Sequence, residues 1–162
     1  YYHLVTYRAR ESLPWQNYSL TMIDNTSGKI SFAINCDNTV VNVAAVDTTT
    51  FPLKRWVFVA GTYDKVNIKL YIDGKLRTVT AETRNILYTY DNNLHIAHPT
   101  TAVSLQFWQG PIEDVMMYNR ALSAKEINYL YQWGKNKASY RLNFINALLP
   151  TGNSRFFFFL NN

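Results

Sequence analysis

The dipeptide Asp73-Gly74, set between two runs of strand character, constrains this chain more than any other feature. Before it, Ile68, Leu70 and Ile72 alternate with Asn67, Lys69 and Tyr71; after it, 75–80 provides a return strand. A two-residue type I′ turn needs positive φ at both centres, and its twist matches that of an antiparallel pair. The same period of two recurs upstream. Tyr18, Leu20 and Met22 alternate with Ser19 and Thr21, and Ile30, Phe32 and Ile34 with Ser31 and Ala33. Asn25-Thr26-Ser27-Gly28 lies between the two runs, which predicts a hairpin over 18–35. Cys36-Asp37-Asn38 reads as the next turn and 40–46 as the next strand. Residues 56–63 are apolar on both faces, as in a strand covered on both sides, with Trp56 opening it as a core ring. Further strands are expected at 94–98, 105–108 and 112–118.

One helix follows. Ser123 and Glu126 have capping-box spacing, and Leu122 and Ile127 form the matching hydrophobic staple. Ile127, Leu130 and Tyr131 make one apolar stripe, and Gly134 reads as the stop, so a short helix is expected near 124–133. Many short strands ending in one packed helix predict an all-β fold, an antiparallel β-sandwich of jelly-roll type.

Composition narrows the class. At 162 residues and 48% hydrophobic the chain can build one core, and 17% charged residues are too few for a disordered tail. Cys36 is the only cysteine, which excludes an internal disulfide framework. No apolar run approaches the ~20 residues of a membrane-spanning helix; the longest is 156–160. The start has neither an initiator Met nor a secretory pattern and reads as a cut or processed edge. The net charge of +5 does not make a nucleic-acid binder. All 11 acidic residues lie between Glu11 and Glu126, and Lys135, Lys137, Arg141 and Arg155 follow them. The rest is nearly neutral, with no basic face.

Two blocks then carry a resemblance. Trp56-Val57-Phe58-Val59-Ala60-Gly61-Thr62-Tyr63-Asp64, followed by Leu70-Tyr71-Ile72-Asp73-Gly74, resembles the central strands of laminin-G-like, concanavalin A-like lectin jelly rolls. So does Gly110-Pro111-Ile112-Glu113-Asp114-Val115, running into Tyr118-Asn119-Arg120-Ala121-Leu122-Ser123. Leu94-His95-Ile96-Ala97 fits between them, where the family usually has Gly in place of Ala97. The resemblance covers about 18–131 and divides the chain into a laminin-G-like domain, 1–134, and a basic, apolar tail, 135–162. It implies a non-catalytic binding or adhesion module of a larger extracellular or cell-surface protein, with neighbouring domains. Carbohydrate or another extracellular protein is the expected partner, with no nucleic acid and no transmembrane segment. The alternatives are a structural accessory domain of a secreted glycan-active enzyme, or a divergent glucanase or lyase. Relatives often hold one Ca2+ at a loop rim, which implies Glu113 and Asp91 as metal residues; Glu113 stands where the family usually has Asp. The family also has N-terminal strands ahead of the region matching Tyr18. Here only about seventeen residues precede it, so that part is expected to be shortened, leaving an edge near 112–118 open or covered by the tail.

Catalytic chemistry finds little support. Glycoside hydrolysis needs two carboxylates flanking one bond. Glu113 and Asp114 are adjacent, hence on opposite faces of a strand, and Val115 and Met116 follow. His95 and His98 would also face opposite ways, with no third ligand for a metal set. Cys36 has no nearby base. Sugar binders set flat aromatics beside amide side chains, and three segments have that composition. They give Trp15, Tyr18, Tyr88, Tyr90, Asn92 and Trp108 as candidate ligand residues. Asn17-Tyr18-Ser19 and Asn25-Thr26-Ser27 match the N-glycosylation pattern.

Overall fold

The computed structural model describes residues 2–9, 17–23, 28–36, 42–52, 55–87, 92–97, 108 and 110–145. Within them the strands are β1 (Tyr2–Ala9), β2 (Tyr18–Met22), β3 (Ile30–Ile34), β4 (Val43–Val46), β5 (Val59–Tyr63), β6 (Asn67–Ile72), β7 (Lys75–Ala81) and β8 (Asn92–Ile96). Helix α1 spans Ala124–Ile145. One sheet has the order β4-β3-β2-β1-β8 and the other β5-β6-β7, and every pairing is antiparallel.

The two sheets face each other across one core. Leu4, Val5, Leu20, Phe32, Ile34 and Ala45 come from the large sheet, and Val59, Tyr63, Ile68, Leu70 and Ile72 from the small one. Gly61 belongs to that contact, because a Cβ there would lie 2.2 Å from Cγ of Phe32. Only a residue without a side chain lets β5 approach the ring so closely. The β6–β7 turn is as its dipeptide predicts, with φ of 51° at Asp73 and 73° at Gly74. Asp73 also accepts a hydrogen bond from the Phe58 amide at 3.2 Å and an ion pair from Arg55 at 2.6 Å.

The sandwich is closed along one side by contacts between β4 and β7. Thr78 and Thr80 donate through Oγ1 to the carbonyls of Val46 and Ala44 at 2.8 and 3.0 Å. Arg77 reaches the buried carboxylate of Asp47 at 3.2 Å, and Asp47 also accepts from the Thr49 amide and hydroxyl. On the outer side of the small sheet, Phe58, Ala60 and Tyr71 pack against Leu122, Ile127, Met116, Tyr118, Leu130 and Tyr131. This third layer explains why 58–63 is buried on both faces.

Several expectations are corrected. The region before Tyr18 supplies a full strand: β1 lies between β2 and β8. A register shift between His3 and Val5 places Leu4 and Val5 both in the core, which broke the alternation in sequence. Residues 112–118 form no ladder; Asp114 sits at φ 55°, which interrupts extended backbone. The ladder of β5 begins at Val59, and Trp56 before it is half-buried. The helix runs past Gly134, which is buried inside it and is not among the residues at positive φ. A glycine stops a helix when it turns left-handed, and here it does not. The division drawn at 134 therefore falls within α1. The expected strand positions 105–107 and the segment 146–162 lie outside the described residues.

Candidate functional site

One end of the sandwich is organised by a relay of backbone hydrogen bonds. The Asn17 amide donates to the Tyr7 carbonyl, the Asn35 amide to the Asn17 carbonyl, and the Leu87 amide to the Asn35 carbonyl, at 2.8, 2.8 and 2.9 Å. This relay ties together the end of β1, the start of β2, the end of β3 and the chain approaching β8. Register agrees, since Ala9 at the end of β1 pairs with Asn92 at the start of β8. Ala9, Asn17, Asn35, Leu87 and Asn92 therefore lie together at one rim. Polar groups collect there. Asn17 is fully buried, and among the described residues neither its side-chain Nδ2 nor its Oδ1 has a hydrogen-bond partner, nor does Oδ1 of Asn42. Asn35 is also buried.

The small sheet ends at this rim as well. The Tyr63 hydroxyl donates to the Arg84 carbonyl, and burial, with Cys36 and Glu82 nearby, pushes it up to about 12. Glu82 is buried and accepts from the Arg84 guanidinium at 2.7 Å and from the Thr83 and Arg84 amides at 2.9 Å. The Arg84 hydrogen bonds hold its carboxyl down to about 2, against the opposing effect of burial. For Asp64, burial acts upward but is outweighed by the Lys69 ammonium and the Asn67 and Val66 amides, so the group lies below its ordinary value. These carboxylates are engaged in structural contacts.

The structure sorts the sequence candidates. Tyr18 stacks on Tyr7 with ring centroids 5.1 Å apart and is 4% exposed, so its ring face is not offered to a ligand. Asn92 opens β8 at the rim. Trp15, Tyr88, Tyr90 and Asp91 lie outside the described residues. Trp108 belongs elsewhere. Its amide donates to the Ala97 carbonyl at the opposite end of β8, its ring packs on the core, and Gly110 sits against the indole. Glu113 and Asp114 are half-buried beside Ile112 and Val115, which pack on that core. The sequon residue Asn17 is closed to solvent, which leaves no access for a glycan in the folded chain; Asn25 and His98 lie outside the described residues. The rim relay carries no sequence signal, because it is built from backbone amides and carbonyls.

Calcium needs six or more oxygen ligands. Among the described residues no three His, Cys, Asp or Glu side chains gather as metal ligands, so they do not by themselves make such a site. Nor, among them, is any helix long and apolar enough to cross a membrane.

The fold and the chain's motif order define a β-sandwich of the lectin and glucanase type. A laminin-G family model described as the concanavalin A-like lectin/glucanases superfamily matches residues 5–128, and the chain belongs to that superfamily. No curated protein matches it. Among solved structures it is similar to residues 221–444 of an S-layer domain-containing protein from Clostridium thermocellum, at 24% identity and a TM-score of 0.41. That similarity covers 70% of this chain and 55% of the other.

Proposed function

We propose that the chain is a non-catalytic recognition module of a larger extracellular or cell-surface protein, binding carbohydrate or protein through the loops of one rim. The observation that carries this reading is the relay Tyr7–Asn17–Asn35–Leu87. It brings Asn17 and Leu87 to one rim, and next to them in the sequence aromatic and amide residues concentrate: Trp15 with Gln16, and Tyr88, Tyr90, Asn92 and Asn93. Flat rings ringed by amide donors and acceptors suit a pyranose, whose faces are apolar and whose edge is all hydroxyl. Superfamily membership supports the reading, because its folds include lectins. The arrangement of carboxylates supports the non-catalytic half. Asp47, Asp64, Asp73 and Glu82 are each held by cations or backbone amides. Glu113 and Asp114 are consecutive in the chain.

Glycan-array screening followed by isothermal titration tests the reading. The expected result is saturable binding of at least one oligosaccharide, weakened tenfold or more by Tyr88→Ala with Tyr90→Ala. Binding that survives both changes removes the rim. No carbohydrate binding leaves only protein recognition, and release of reducing sugar overturns the non-catalytic assignment.

A further inference from the structure

The face of the five-stranded sheet turned away from the core carries short, uncharged side chains. Tyr18, Ile34 and Val43 stand side by side on β2, β3 and β4 and pack on the core. Side chains alternate along a strand, so the next residues outward, Asn17, Asn35 and Asn42, bring their amides to the other face at the rim. One step inward on that face is the row Ala44, Ala33, Ser19, Thr6 and His95, one residue from each strand. Among these side chains only His95 can carry a charge. Thr21 and Ser31, next along the face, satisfy each other at 3.0 Å. Their neighbours are not satisfied. Among the described residues, Nδ2 and Oδ1 of Asn17, Oγ of Ser19 and Oδ1 of Asn42 have no hydrogen-bond partner. Asn17 and Ser19 are both 0% exposed.

Buried polar groups are nearly always paired, so neighbouring orphans of both donor and acceptor kind mark a place for a molecule from outside the chain. Groups closed to bulk solvent are still reached by one hydroxyl at a time, as internal waters reach them. An alcohol hydroxyl donates and accepts, and so matches an amide and a serine on both counts. A carboxylate or sulfate would need a cation, and the Arg84 guanidinium at this rim is already engaged by Glu82 at 2.7 and 3.0 Å. On the reading of this rim as a carbohydrate site, we propose that its ligand is a neutral oligosaccharide. Asn17, Ser19 and Asn42 specify it by taking hydroxyl groups of the sugar in place of water.

The test uses the full chain and isothermal titration, with cellohexaose, mannohexaose and chitohexaose as neutral probes and hexagalacturonate and a heparin hexasaccharide as acidic ones. Saturable binding of at least one neutral probe, and of neither acidic one, is expected. Ser19→Ala and Asn17→Leu keep the side-chain shapes and remove only unpaired atoms, so the free chain is expected to keep its melting temperature. Each is expected to weaken neutral binding about tenfold. Asn42→Ala, at a half-buried position, gives the same readout if Asn17→Leu does not fold. Binding of the acidic probes alone overturns the inference and leaves carbohydrate recognition standing. Absence of binding to every probe overturns both. Neutral binding unchanged in the variants overturns the inference too, since Asn17 and Ser19 then hold water only.

Discussion

Replacing Gly61 by Ala tests whether the two sheets are stacked as described. A methyl group at 61 would lie 2.2, 2.5 and 2.4 Å from Cγ, Cδ1 and Cδ2 of Phe32. Carbon atoms prefer about 3.5–4.0 Å, so ring or strand must move by more than an ångström. Phe32 is 0% exposed and has no free direction to yield. Overpacking of this kind costs about 1–3 kcal/mol, and a clash with three ring atoms belongs at the upper end. Against it stands a gain of about 0.4–1 kcal/mol from the smaller unfolded-state entropy of Ala. The expected net loss is about 2 kcal/mol. Phe32→Leu alone leaves a cavity and loses about 1–2 kcal/mol, yet it also makes room for the methyl. The double variant is therefore expected to be at least about 1 kcal/mol more stable than the sum of the single effects. Urea denaturation followed by tryptophan fluorescence supplies all four stabilities. A neutral or stabilising Gly61→Ala, or strict additivity, would mean that β3 and β5 do not face each other here.

Other perturbations have equally definite outcomes. Ala97 holds φ 60°, so Ala97→Gly is expected to raise stability by about 0.5–1 kcal/mol in the same denaturation assay. Asp47→Ala removes the acceptor for Arg77 and Thr49 at a buried position, and because Arg77 is partly exposed the expected loss is about 2 kcal/mol. Ser123→Ala deletes the capping hydroxyl, which accepts from the Glu126 amide at 3.3 Å and donates to the Glu126 carboxylate at 2.8 Å, and should cost about 1 kcal/mol, read as a lower melting temperature. Glu82 titrates at about 2 in the folded chain against an ordinary 4.5, so its contribution is fully present above pH 4.5 and is lost as pH falls towards 2. Glu82→Gln is expected to flatten that part of the stability–pH curve measured by chemical denaturation.

The sequence carried the fold wherever one physical rule acted alone. Asp73-Gly74 set a turn because positive φ at both centres leaves few other choices, and Ser123 with Glu126 set a helix start because cap and staple coincide. Alternation placed Ile68, Leu70 and Ile72 in the core. It failed at β1, where the bulge turns Leu4 and Val5 the same way, and at 112–118, where the left-handed Asp114 breaks a run of suitable strand formers. Gly134 misled because a glycine stops a helix only through its backbone conformation, which composition does not carry. The candidate site was legible as composition and not as geometry. Tyr18 and Trp108 have the right chemistry, but one is stacked into the core and the other sits at the far end of β8. The amides of Asn17 and Asn35 organise the rim through backbone groups, which every residue possesses and no motif advertises.

Amide chemical-shift mapping of the isotope-labelled chain, titrated with an oligosaccharide found by array screening, tests the rim reading most directly. The account predicts that the largest shifts fall at Asn17, Asn35, Leu87 and Asn92, with Gly74, Ala97 and Trp108 unmoved. Shifts centred on Ala97 and Trp108 instead would place recognition at the opposite end of the sandwich and contradict it.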